Sequence, residues 1–222
     1  MCGRFTLRTP SEVLAAQFEL PNIPALNPRY NVAPTQAVAV VRQQPVGRHL
    51  DWLQWGLVPH WAKDPSIGLR MINARSETVA EKPAFRAAFK ARRCLVLADG
   101  FYEWQAILGT RTKQPFYFQM EAGKPFAFAG LWEQWNGPDG LLETCTLLTT
   151  EANALVQPVH DRMPVILPPD VYSVWLAPDM HDRGALEALL VPYDPAAMQA
   201  YPVRRAVNNT RNDSPECIEP SE

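Results

Sequence analysis

Between Ala37 and Thr150 the chain reads as a series of short strand-like apolar runs, each soon stopped by Pro, Gly, Asn or Asp. The runs fall at 37–42, 49–57 (carrying Trp52 and Trp55), 94–98, 101–105, 115–120, 125–132 and 144–150. In 115–120 the residues Phe116, Phe118 and Met120 alternate, the pattern of a half-buried strand. Asp99-Gly100 breaks one run, and Ala122-Gly123 suggests a hairpin into the next. No strand–helix–strand alternation recurs, which excludes a doubly wound parallel sheet. The expectation is a single α+β domain built on curved, mainly antiparallel, barrel-like sheet with peripheral helices.

The helical signals lie towards the ends. In Thr9-Pro10-Ser11-Glu12, Thr9 suits a cap, Pro10 the first helical position and Glu12 the closure of a capping box. Leu14 and Phe18 then share a face, and the helix should end before Pro21. Segments 22–34 and 58–71 read as loop. Short helices are predicted at 83–92, with Phe85 and Phe89 on one face, at 169–176 and at 183–190. The domain is expected over 2–208, with 209–222 a flexible tail.

Composition removes several classes. Nearly half of the 222 residues are apolar, enough for a packed core, yet no run is long enough to cross a membrane. The N-terminus lacks the basic and apolar regions of a secretion signal, so a cytoplasmic, nucleoid-associated protein is expected. Cys2, Cys94, Cys145 and Cys217 are too scattered for a zinc site or a disulfide framework, and no metal or cofactor is expected. The net charge of −2 confines nucleic-acid binding to a local patch.

The chemistry starts at Cys2. Residue 2 is small enough for Met1 to be trimmed, which would leave a free α-amine and a thiol on one residue. The amine titrates at about 7.7–8.0, against about 10.4 for lysine, so a useful fraction is nucleophilic at neutral pH. It can condense with an aldehyde to a Schiff base, and the thiol can close on the same carbon to a thiazolidine. That closure has the advantage of a tethered reaction. Three further segments, 71–78, 98–104 and 158–164, concentrate polar groups beside turn residues. Each has a bland alternative: Asn73 as a turn cap, Glu103 on the solvent face of a strand, His160 as a loop histidine. Taken with Cys2 they offer an amide, a carboxylic acid and an imidazole, the groups Schiff-base chemistry needs for proton transfer. Desolvation between aromatic neighbours would raise the pKa of Glu103, and His160 can move a proton either way.

MCGR at 1–4, RYNVAP at 29–34, Trp55-Gly56, INAR at 72–75 with Glu77-Thr78, ADGFYEW at 98–104 and HDRMPVIL at 160–167 resemble the SRAP (SOS-response-associated peptidase) family. The resemblance runs from Cys2 to about Asn208. It implies a sensor of abasic sites in single-stranded DNA, including single/double-strand junctions at replication forks, that forms a covalent thiazolidine crosslink through Cys2. It also implies lyase and crosslink-reversal chemistry and a peptidase activity suited to removing Met1. By the same resemblance Asn73 positions the Cys2 amine, Glu103 is the acid/base, and His160 assists at the sugar. Arg4, Asn31, Pro34, Trp61, Arg75 and Arg162 are implied as DNA contacts, and a monomer is expected. Some relatives have two adjacent tryptophans where this chain has Trp61-Ala62, and 63–70 looks longer here, with Arg70 a candidate replacement. Two other readings stay open: an N-terminal-nucleophile amidohydrolase, and a non-covalent single-strand binder.

Overall fold

The computed structural model describes residues 2–221. Its elements run β1 (Phe5–Leu7), α1 (Ser11–Phe18), β2 (Arg29–Val32), β3 (Ala37–Gln44), β4 (Gly47–Trp55), β5 (Asn73–Arg75), α2 (Arg86–Ala91) and β6 (Arg93–Ala98). They continue with β7 (Gly100–Ala106), β8 (Lys113–Met120), β9 (Phe126–Gly137), β10 (Gly140–Glu151), β11 (Arg162–Pro164), β12 (Ile166–Leu167), α3 (Tyr172–Leu176), α4 (Arg183–Ala188) and β13 (Met198–Pro202). Strands β10, β4, β3, β6 and β9 pair in that order, and β9 pairs back to β10, so five strands close into a barrel. A separate sheet, β13-β8-β7-β1-β2, lies beside it. The pairings are antiparallel except for β10 with β4 and with β5. The expected α+β fold on barrel-like sheet is the one observed.

Burial explains the unbroken apolar runs. Val38 and Val40 of β3 join one core cluster, while Ala39 and Val41 join another. A strand covered on both faces reads as continuous rather than alternating hydrophobics. Barrel closure also demands a missing side chain at Gly130, where a Cβ would come within 2.8 Å of Cys94 Sγ. Among the described residues no helix is long and apolar enough to cross a membrane.

Several local expectations give way to tertiary partners. Thr9 does not cap α1, whose N-cap is Pro10 without a side-chain bond. The Thr9 hydroxyl and amide instead donate to Asp99. Ala122-Gly123 does not close a hairpin, because β8 belongs to the five-stranded sheet and β9 to the barrel. The presumed loop 22–34 contains β2, which pairs with β1. Residues 209–221, expected as a flexible tail, pack down: Cys217 is buried with Tyr102 and Tyr117, and Val203 bridges to Pro220.

Candidate active site

The N-terminal segment is laid down by β1. Phe5 pairs with Phe101, and the Tyr102 amide donates to the Arg4 carbonyl at 3.0 Å. This antiparallel run carries residues 2 and 3 past the Glu103 end of β7. From the other side, β5 lies parallel to β10, with Asn73 opposite Leu147. The Asn73 side-chain amide donates to the Cys2 carbonyl at 2.8 Å, while its Oδ1 is buried without a hydrogen-bond partner. That orphaned acceptor adjoins the residue expected to react.

Glu103 is 2 % exposed. Strand alternation puts it on the inner face of β7 and sends Tyr102 and Trp104 to the outer face. Burial pushes its carboxyl above the ordinary range, with the charge of His160 and the Trp104 amide pulling back. Burial first, and then the Glu103 charge, also push the Cys2 thiol well up. The thiol is therefore a protonated, enclosed group that donates weakly to the Arg4 carbonyl at 3.8 Å.

His160 sits at the end of a compact turn, its amide donating to the Val156 carbonyl at 3.0 Å. Gln105 of β7 ties this turn to the sheet through the Pro158 carbonyl at 3.0 Å. Two partners compete for His160 Nδ1. The Arg162 amide donates to it at 3.0 Å, which requires a lone pair there and leaves the proton on Nε2. The Asp161 carboxylate lies 2.9 Å from the same nitrogen.

The structure thus gathers Cys2, Asn73, Glu103 and His160 from four distant parts of the chain. The expected DNA contacts divide. Arg75 and Arg162 flank Thr149 of β10 from opposite sides, and Arg75 is exposed on the same face of β5 as Asn73. Arg162 forks onto Glu77 and donates to the Thr149 carbonyl at 2.7 Å. Arg4 donates to Asn31 Oδ1 at 2.7 Å and to the Val207 carbonyl at 2.8 Å. Trp61, half exposed, lines a separate groove of about 370 Å³ with Lys63, Leu69 and Arg70. Pro34 is half-buried in a turn beside Thr35, whose φ is 73°. Asn31 does not fit a DNA contact: it is 0 % exposed, and its amide is taken up by backbone carbonyls.

Sequence reasoning missed Asp99. It is wholly buried and accepts from Thr6 Oγ1 (2.5 Å), the amides of Arg8 (2.6 Å) and Thr9 (2.8 Å), and Thr9 Oγ1 (2.9 Å). The carboxylate clamps the chain just after β1. Gly100 beside it has no room for a side chain, since a Cβ would lie 2.0 Å from Tyr117 Oη. The Asp-Gly pair carries an ordinary turn signal, which masks this second role. A larger cavity of about 540 Å³, lined by Gln17, Met120, Phe126 and Tyr172, includes none of the four gathered residues. Among the described residues no group of His, Cys, Asp and Glu is arranged to hold a metal ion.

A family model described as SOS response associated peptidase (SRAP) matches residues 1–210. The chain is 46 % identical over 223 residues to the abasic site processing protein YoqW of Bacillus subtilis, covering 99 % of each. It is 31 % identical over 274 residues to the abasic site processing protein HMCES of Mus musculus, covering 100 % of this chain and 76 % of that one. A crystal structure of a protein from Bacteroides thetaiotaomicron superposes with a TM-score of 0.90 at 25 % identity, over the full length of both.

Proposed function

The chain belongs to the SOS response associated peptidase (SRAP) family, and on that premise we propose that it captures abasic sites in single-stranded DNA as a covalent thiazolidine on Cys2. One observation carries the reading: residue 2 is held by Asn73 beside a buried carboxyl whose acidity is suppressed. Removal of Met1, which lies outside the described residues, turns the Cys2 nitrogen from an amide into a nucleophilic amine. The ring-opened deoxyribose presents an aldehyde at C1′. The nitrogen adds to C1′, and the resulting hydroxyl leaves as water on accepting a proton from Glu103. This gives the protonated imine. The enclosed, protonated thiol reacts second: its proton passes to the Glu103 carboxylate, sulfur bonds to the same carbon, and the C=N electron pair returns to the nitrogen, which keeps the proton it already holds. Glu103 ends the cycle as it began.

The other groups support this sequence. Asn73 holds the Cys2 carbonyl and presents its free Oδ1 to the amine or to the sugar. His160, with its proton on Nε2, serves the sugar oxygen. Arg75 and Arg162 meet backbone phosphates, and Trp61 offers a face for an unpaired base at a junction. Lyase and reversal reactions use the same imine, and hydrolytic removal of Met1 uses the same acid/base pair.

The test is an oligonucleotide with one abasic site, incubated with the mature protein and then boiled in denaturant. A shifted band and an intact mass lacking Met1 are expected. Cys2→Ala keeps an α-amine and is expected to give only a reversible imine, with no band surviving prolonged heating. A normal yield of heat-stable product from Cys2→Ala would refute ring closure, and a mature chain retaining Met1 would refute the reading as a whole.

A further inference from the structure

Residues 203–221 form a strap over the outer face of the five-stranded sheet. Val203 pairs with the Pro115 carbonyl at 2.9 Å, Val207 and Cys217 pack against Tyr102 and Tyr117, and Tyr201 Oη donates to the Ile218 carbonyl at 3.0 Å. At its centre lies the buried side chain of Asn31. Its Nδ2 donates to the carbonyls of Val207 (3.2 Å), Asn209 (3.1 Å) and Asn212 (2.6 Å). Its Oδ1 accepts from Arg4 Nη1, which also donates to the Val207 carbonyl. Below, Asp213 accepts from the amides of Tyr30 (2.5 Å) and Asn31 (2.9 Å) and from the Arg29 guanidinium.

We propose that Asn31 is a positioning residue that locks the C-terminal strap onto Arg4 and thereby fixes the Cys2 nucleophile two residues away. The proposal rests on the thiazolidine reading above. A chain terminus is the part of a domain most prone to fray, and holding each residue in one conformation costs conformational entropy. β1 has only three residues to hold this end. Asn73 grips the Cys2 carbonyl from one side. Away from that grip, Arg4 Nη1 is shared between Asn31 Oδ1 and the Val207 carbonyl. Among the described residues Arg4 forms no ion pair; its hydrogen-bonding hold is the carbonyl and amide oxygens of the strap and of Asn31, with its guanidinium over the Trp104 ring at 5.6 Å. Released from them, the guanidinium would follow solvent or a phosphate, and residues 2–4 would lose their outer anchor. A nucleophile displaced by about 1 Å can lose about a hundredfold in rate.

Asn31→Asp keeps the shape but turns two donors into acceptors facing three carbonyls. In the full-length mature protein, trypsin should then cut faster at Arg205 and Arg211, which lie in the strap and are exposed. The maximal crosslinking rate should fall about tenfold or more, while the DNA concentration giving half that rate shifts by no more than about twofold. The surface variant Asp213→Asn loosens the same strap from below and should give the same split with a smaller fall. Arg204→Ala breaks an exposed ion pair with Glu219 and should leave the rate unchanged. A variant whose strap is cut rapidly yet crosslinks at the wild-type maximal rate overturns the proposal, as does a fall confined to DNA affinity. Strap protection equal to wild type in both Asn31→Asp and Asp213→Asn overturns it too. If the wild-type protein forms no crosslink, the functional reading fails instead, and the trypsin arm still reports whether Asn31 holds the strap.

Discussion

Two buried carboxylates sit four residues apart, Asp99 just before β7 and Glu103 within it, and they do opposite things. Asp99 accepts four hydrogen bonds from residues 6–9, with the Arg8 guanidinium 3.8 Å away. Fixed donors replace its lost water, so its charge is stabilised and it acts as a clamp. Glu103 is buried as well, but there burial is the largest influence and raises its pKa. Its charge is costly, which suits a group that must hold a proton and then give it up. Burial alone therefore does not fix what a carboxylate does.

The strongest way to break this contrast is Glu103→Gln. General acid–base catalysis contributes about 10²–10⁴-fold, so the crosslinking rate should fall by about a hundredfold or more. Stability should be kept or improved. A carboxyl whose folded pKa is raised contributes stability below its unfolded pKa and loses it as pH rises through the folded value. Glutamine does not ionise, so the variant should hold its Tm as pH rises above the ordinary glutamate range, where the wild type declines. A destabilised Glu103→Gln that crosslinks normally would reverse the assignment.

Asp99→Ala is the complementary change. It strands the donors of Thr6, Arg8 and Thr9, and each unsatisfied buried group costs about 1–3 kcal/mol. Urea unfolding should show a loss of about 3 kcal/mol or more, with crosslinking falling as β1 loosens. A loss under about 1 kcal/mol would show that the clamp lies elsewhere.

The pH profile sharpens the comparison further. Wild-type crosslinking should rise as the Cys2 amine loses its proton and fall as pH passes the elevated Glu103 pKa. Glu103→Gln should lack that fall, and its persistence would assign it to another group. The smallest effect is expected from the arginines. Arg75→Ala should flatten the salt dependence of binding by about 0.7 in log–log slope, one phosphate's worth on a single strand. Arg162, already forked onto Glu77, should give less. Equal slopes for the two variants would mean that the Glu77 pair opens on DNA.

Much of the fold was legible where a strand's partners left a local mark. The run at 94–98 shows as continuous hydrophobics because both faces are covered. The short strands β1, β2 and β5 carry no such mark, since each exists only by pairing with a residue far along the chain. The hairpin at Ala122-Gly123 looked right locally, but turn residues do not say which sheet the next strand joins. Thr9 had a local capping role available and lost it to the stronger charged acceptor at Asp99. Asn31, in a motif expected to meet DNA, turned out to hold the chain's own C-terminal segment, which polar composition alone made look mobile.

Composition and order along the chain were enough to establish the available chemistry: a cysteine at position 2, an amide, an acid, an imidazole, and strands too short and too interrupted for any fold but a curved sheet. The tertiary structure decided which of those groups meet and in which protonation state. Residue types are a property of the chain, whereas the pKa of Glu103, the thiol of Cys2 and the fit of Asn73 to its carbonyl depend on desolvation and distance, set by partners seventy to a hundred positions away.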